Sequence, residues 1–176
     1  MLFKETRLKG AFIIEIERFE DERGFFAPSW TARDFAAQGL DARLVECDIA
    51  RNRTRGTLRG MHYQRPPFAQ TKLVRCTHGA IYDVAVDLRP DSPTFKQWFA
   101  TELNDESHRM FYIPVGLAHG YLTLTDKAEV FYQMSEVYAP ECAGGVRWDD
   151  PAFQIEWPAP PDIISKRDRE YPDFSS

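Results

Sequence analysis

Apolar residues along this chain recur mostly at every second position, in short runs separated by turn residues. The clearest run is Ala80–Leu88 (AIYDVAVDL), which places Tyr82, Val84, Val86 and Leu88 on one face. Gln70–Cys76 alternates in the same way, and Ala11–Ile16 is apolar and β-branched. Phe111–Pro114, Gly120–Leu124 and Glu129–Val137 read as further short strands. Turn residues separate them at Gly79, Arg89–Pro93, Pro114–Gly116, Asp126–Lys127 and Gly144–Gly145. Many short strands at this spacing predict an all-β sandwich or barrel. One helix stands out: Thr31 and Asp34 have the spacing of a capping box, the run continues through Phe35–Gln38, and Gly39 stops it. Ser165 and Asp168 repeat that spacing and predict a second short helix. The proline-rich tail after Trp157 is expected to wrap the fold as extended chain.

At 176 residues the chain is expected to form a single domain over 1–176, large enough for a real core. Aromatic residues make up 14% of it, which suits a large apolar interior with a ligand cleft. The formal net charge of -5 argues against nucleic acid or an anionic membrane as partner, although Arg51, Arg53, Arg55 and Arg59 form a local basic patch. Cys47, Cys76 and Cys142 are odd in number and lack a C-x-x-C pair, so reduced thiols are expected rather than a disulfide framework or a zinc knuckle. The first 19 residues hold no apolar run long enough for a signal peptide or a membrane span, which predicts a soluble, cytoplasmic protein.

Four histidines are present. His78 and His108 lie at or before turns and read as surface residues. His62 shares six residues with Arg59 and Gln64, and the next strand brings Gln70 and Lys72 to one face. Arg59 and His62 belong on opposite faces of an ideal strand, and Gly60 between them is placed to form a bulge that re-aims one of them. In Glu129–Val137, Val130, Tyr132 and Met134 share a face, so Tyr132 points inward, either as a core aromatic or as a proton donor in a dry pocket.

Two histidine segments have the spacing of cupin metal motifs. Gly56 is followed by five residues and His62, but Gln64 stands where a second histidine is needed. Pro114, Gly116 and His119 fit the second motif. The ligand set is incomplete, so a cupin-type jelly-roll that works without metal or other cofactor is expected. There is no G-x-G-x-x-G, P-loop or G-x-S-x-G segment.

Over nearly its whole length the sequence resembles the dTDP-4-dehydrorhamnose 3,5-epimerases, isomerases with a metal-free cupin fold. The likeness is carried by Asp21–Phe26, Gly56–Gln64, Lys72–Arg75, Asp83–Arg89, Ile113–Pro114, His119–Gly120, Tyr132, Trp148–Pro151 and Trp157–Pro158. The resemblance implies epimerisation at C3 and/or C5 of a nucleotide-linked 4-keto-6-deoxyhexose, on the route to dTDP-rhamnose for polysaccharide. It gives His62 the role of base, Tyr132 that of acid, and Asp168 that of the carboxylate paired with the base. It implies substrate contacts at Arg23, Phe26, Arg59, Gln70, Lys72, His119 and Arg167, and a homodimer whose N-terminal strands cross between subunits.

The chain departs from the family's pattern at Pro28, at Cys47–Asp48–Ile49 and at Ala143, positions that contact the nucleoside end. The nucleotide is therefore left open between dTDP, CDP and another. Two other readings share the fold: a sugar ketoisomerase, and a non-catalytic cupin that binds sugar nucleotides or senses a metal.

Overall fold

The computed structural model describes residues 1–175. In chain order its elements are β1 (Leu2–Glu5), β2 (Phe12–Glu15), β3 (Phe19–Asp21), β4 (Gly24–Phe26), α1 (Ala32–Ala37), β5 (Glu46–Arg51), β6 (Thr57–Gln64), β7 (Lys72–His78), β8 (Ala80–Asp87), β9 (Trp98–Asn104), β10 (Met110–Ile113), β11 (Leu117–Thr123), β12 (Glu129–Met134), β13 (Ala143–Gly145), β14 (Ile163–Ile164) and α2 (Lys166–Arg169). Two large sheets account for most of these strands. One runs β1-β2-β10-β7-β12-β5 and the other β13-β6-β11-β8-β9, with β14 pairing alongside β6. All pairings are antiparallel except β14 with β6. The hydrogen-bonded ladders do not close on themselves, so the expected barrel is realised as a cupin-type sandwich. The β3–β4 hairpin stands apart from both sheets.

Alternation decides what each strand face meets. Along β8, Ile81 and Ala85 point between the sheets and pack with Val74, Phe111, Tyr121 and Val130. Tyr82, Val84, Val86 and the adjacent Leu88 point the other way, as expected, but that face is also covered. Phe153, Trp157 and Phe174 of the C-terminal tail lie over it. A strand buried on both faces explains why so much of Ala80–Leu88 is apolar.

On the far side of the other sheet, α1 seats Phe35 against Ile14, Met110 and Tyr112. Thr31 caps this helix by accepting from the Asp34 N–H at 3.1 Å. Phe35 is the helix's only buried residue. Burying one such ring is worth about 1.5–3 kcal/mol, and it fixes a helix too short to be stable alone. The second helix begins at Ser165, whose hydroxyl accepts from the Asp168 N–H at 3.1 Å.

Candidate active site

The interior core fills one end of the space between the sheets. At the other end lies a cavity of about 700 Å3. Arg59, His62, Gln70, Lys72, His119, Tyr132, Arg167 and Asp168 all line it.

Gly60 explains how Arg59 and His62 come to share this space. The pairing of β6 with β11 matches His62 to His119 and Arg59 to Tyr121, so three steps on β6 answer two on β11. The extra residue is a bulge, and it turns both side chains to the cavity. Gly60 has φ of 139°, and a Cβ there would lie 2.4 Å from Gly120 Cα, so only glycine fits.

His62 Nε2 lies 2.7 Å from Asp168 Oδ1, while Asp168 Oδ2 accepts from the Gly60 N–H at 3.2 Å. Burial alone would raise the Asp168 carboxyl. The His62 hydrogen bond and charge, with the Gly60 and Ser165 contacts, outweigh it and bring the carboxyl below its ordinary value. The contact of Nε2 with this carboxylate orients the imidazole and leaves Nδ1 as its other polar atom. Asp168 is thus both a first-turn helix residue and the partner of His62, and the two roles use different atoms.

His119 sits deeper, with Nε2 at 2.7 Å from Asp83 Oδ1. Both are buried, and burial pushes the Asp83 carboxyl up and the His119 imidazole down. A neutral His119 is a hydrogen-bonding group, not a cation. Lys72 Nζ donates to the His62 carbonyl at 3.3 Å. Burial lowers the Lys72 ammonium to about 8, against the opposing pull of Asp83. Tyr132 comes from the opposite sheet, with its ring 6.0 Å from that of His119. Burial, the nearby Tyr121 and Asp83 hold its phenol well above the ordinary value, so it is protonated at neutral pH.

Arg59 Nε donates to Asn52 Oδ1 at 2.9 Å, and Arg167 Nε donates to the Tyr171 hydroxyl at 2.8 Å. Gln70 lies just before β7 and donates to the Glu136 carbonyl at 3.2 Å. Arg23 and Phe26 are not brought to this cavity within the chain. Arg23 occupies the turn of the β3–β4 hairpin, paired with Asp21, and Phe26 is 72% exposed. His78 ends β7 with an exposed side chain, as expected, whereas His108 is half-buried beside Phe25.

Asp83, Asn52 and Tyr121 were not singled out in the sequence. Asp83 has a signal: a carboxylate in the middle of the inward face of a mostly apolar strand needs a buried partner. Among the departures from the family's pattern, Asp48, Ile49 and Ala143 line the cavity and Cys47 and Pro28 do not. Gln64 is committed elsewhere: its amide donates to the carbonyls of Phe68 and Val137 and accepts from the Ala139 N–H. Among the described residues no group of three His, Cys, Asp or Glu side chains could hold a metal ion.

A cupin-type sandwich with a carboxylate-held imidazole on one sheet and a protonated phenol on the other is the architecture of an acid–base isomerase. The family profile of the dTDP-4-dehydrorhamnose 3,5-epimerases matches residues 5–176. The dTDP-4-dehydrorhamnose 3,5-epimerase of Methanothermobacter thermautotrophicus is 45% identical over 172 residues, covering 96% of this chain and 92% of that one. The crystal structure of the enzyme from Elizabethkingia anophelis superposes with a TM-score of 0.95 at 39% identity, covering 99% and 96% of the two chains. That from Bacillus anthracis, with TDP and PPi bound, gives 0.94 at 40% identity, covering 98% and 99%. The chain belongs to the dTDP-4-dehydrorhamnose 3,5-epimerase family.

Proposed function

We propose that the protein epimerises C3 and C5 of dTDP-4-dehydro-6-deoxyglucose, giving dTDP-4-dehydrorhamnose. The observation that carries this reading is the placement of His62 and Tyr132 on opposite sheets of one cavity. The C4 ketone acidifies the protons on C3 and C5. His62 Nδ1 removes one, the charge develops on O4, and the Lys72 ammonium stabilises it there. Tyr132 then delivers a proton from the other face and inverts the carbon. Neutral His119 hydrogen-bonds a sugar oxygen, and Arg59 and Arg167 hold the diphosphate. The Bacillus anthracis relative with TDP and PPi bound supports a nucleotide diphosphate in this cavity. The test is product identity: proton NMR of the ring couplings must report inversion at both carbons. A product inverted at one carbon reassigns the protein as a single epimerase, and one with its carbonyl moved reassigns it as a ketoisomerase.

In this scheme only the Lys72 ammonium is useful, and it exists below about pH 8. The kcat/KM of the free enzyme is therefore expected to fall as pH rises through about 8. Arginine stays charged throughout that range, so Lys72→Arg is expected to lower the plateau and move the alkaline limb to higher pH. An unmoved limb would assign it to another group.

Ile49 and Ala143 offer no side-chain hydrogen bonds to a base. Discrimination by such apolar wall is limited to about 10–200-fold. Turnover of the CDP form of the same sugar is expected within that range of the dTDP form, with GDP compared alongside. A larger preference for dTDP would show that other residues read the base.

The full chain 1–176 acts as one epimerase domain, in the cytoplasm where nucleotide sugars are made, and as a homodimer. Phe26 at 72% and Phe19 at 66% exposure leave apolar surface on the β3–β4 hairpin that a second copy covers, and a crossing hairpin brings Arg23 and Phe26 to the partner's cavity. Light scattering at micromolar concentration is expected to give twice the 20.4 kDa chain mass. A monomer mass would remove Arg23 and Phe26 from the site.

A further inference from the structure

Asp150 is a buried carboxyl group that the scheme above leaves unused, and it does not line the cavity. Each of its oxygens accepts one backbone N–H. Oδ1 takes that of Ala152 at 2.8 Å, which shapes the local turn. Oδ2 takes that of Phe174, 24 positions away in sequence, at 2.6 Å. The Phe174 ring seats beside this contact, 5.2 Å from the ring of Phe153 and 6.2 Å from that of Phe95. Asp150 thus pins the tail to the outer face of the sheet that carries His62.

What the tail carries gives this contact its meaning. Residues 162–174 run beside β6 as a strap. At its near end the Asp162 and Ile163 N–H groups donate to the Gly56 carbonyl, and β14 pairs with Thr57 and Leu58. The middle is α2, which presents Asp168 to His62 at 2.7 Å. Beyond it the Tyr171 ring lies directly against Gly145, where a Cβ would collide with it, and Gly145 pairs with His62 itself. Phe174 forms the far end. Past Glu170 its N–H is, among the described residues, the one backbone group hydrogen-bonded outside the strap. A four-residue helix has no stability of its own, so both ends of the strap decide where Asp168 sits. The His62 contact tolerates little slack, because a hydrogen bond of 2.7 Å is lost when stretched by about 1 Å.

We propose that Asp150 is a positioning residue for the base: by holding the Phe174 N–H it fixes the far end of the strap, and with it the place of Asp168 against His62. This rests on His62 being the base. No bond or proton changes hands at Asp150. Its effect reaches the reaction through the orientation of the imidazole, where a misplacement of about 1 Å caused far from the chemistry costs up to about 10²-fold.

The experiment breaks this tether from either side. Phe174→Pro removes the N–H, and Phe174→Ala is the control that loses the ring but keeps the N–H. Asp150→Asn leaves one acceptor oxygen for two donors. The first readout needs no substrate: 15N NMR follows the histidine ring nitrogens in each variant, with Asp168→Ala as reference. In Phe174→Pro and Asp150→Asn the His62 signals are expected to move towards their Asp168→Ala positions, while those of His119, held by Asp83, stay. The second readout is kcat at saturating substrate, since Arg167 on the same helix shares in binding. Phe174→Pro is expected to fall about 10–100-fold below Phe174→Ala. In the Asp168→Ala background it is expected to add no further loss, because the tether acts only through Asp168. Unmoved His62 signals, a kcat equal to that of Phe174→Ala, or an additive loss overturns the proposal. Should Asp150→Asn fail to fold, Phe174→Pro decides alone, because it alters a half-buried residue outside every strand and helix. Moved His62 signals with undiminished deuterium entry, in Asp168→Ala as well as in Phe174→Pro, would instead remove His62 from the role of base, and the proposal with it.

Discussion

His62→Ala is expected to abolish deuterium entry at both C3 and C5 of the bound 4-keto sugar, with product formation falling about 10²–10⁴-fold. No enolate forms without the base, so exchange and epimerisation disappear together. The imidazole is prepared for this by its partner: Asp168 at 2.7 Å holds Nε2, and the carboxylate is in turn fixed by the Gly60 N–H. Loss of folding is a weak alternative, because the His62 side chain is 38% exposed and its removal leaves no sealed core cavity. Time-resolved proton NMR in D2O checks both readouts at once. Persistent exchange at one carbon would mean that a second base serves that position.

Tyr132→Phe is expected to separate the two readouts that His62→Ala removes together. The ring stays, so packing against His119 and Tyr121 stays with it, and only the hydroxyl is lost. His62 can still withdraw a proton, but the enolate is then reprotonated mainly from the face it left. Deuterium is expected to enter at carbons of retained configuration while inverted product falls about 10²–10⁴-fold. Equal loss of exchange and inversion would contradict the division of labour and make Tyr132 a substrate-positioning group.

Much of this site could be read from residue spacing, and the parts that could not have separate physical causes. Thr31 and Asp34 marked α1 because a cap is a local device, and Ser165 with Asp168 marked α2 for the same reason. Gly60 betrayed the bulge because only glycine tolerates that backbone against Gly120. The face of Tyr132 followed from alternation in β12. The pairing of His62 with Asp168 spans 106 positions, and spacing alone cannot see it; the family resemblance supplied it. β5 has no strand signature because half of Glu46–Arg51 is charged, and its inward residues Asp48 and Ala50 carry no apolar stripe. β13 and β14 are too short to show a period and exist through pairing with β6. Asn52 and Tyr121 were invisible for another reason: a buried amide and a buried phenol acquire meaning only through each other.

The central claim is that one enolate, formed on the His62 side, is quenched from the Tyr132 side. It is tested most directly by wild-type protein turning over dTDP-4-dehydro-6-deoxyglucose in D2O, with NMR locating each deuteron. The account predicts deuterium at C3 and C5 of the inverted product, with the carbonyl still at C4. Unlabelled inverted product, or a carbonyl displaced from C4, would contradict it.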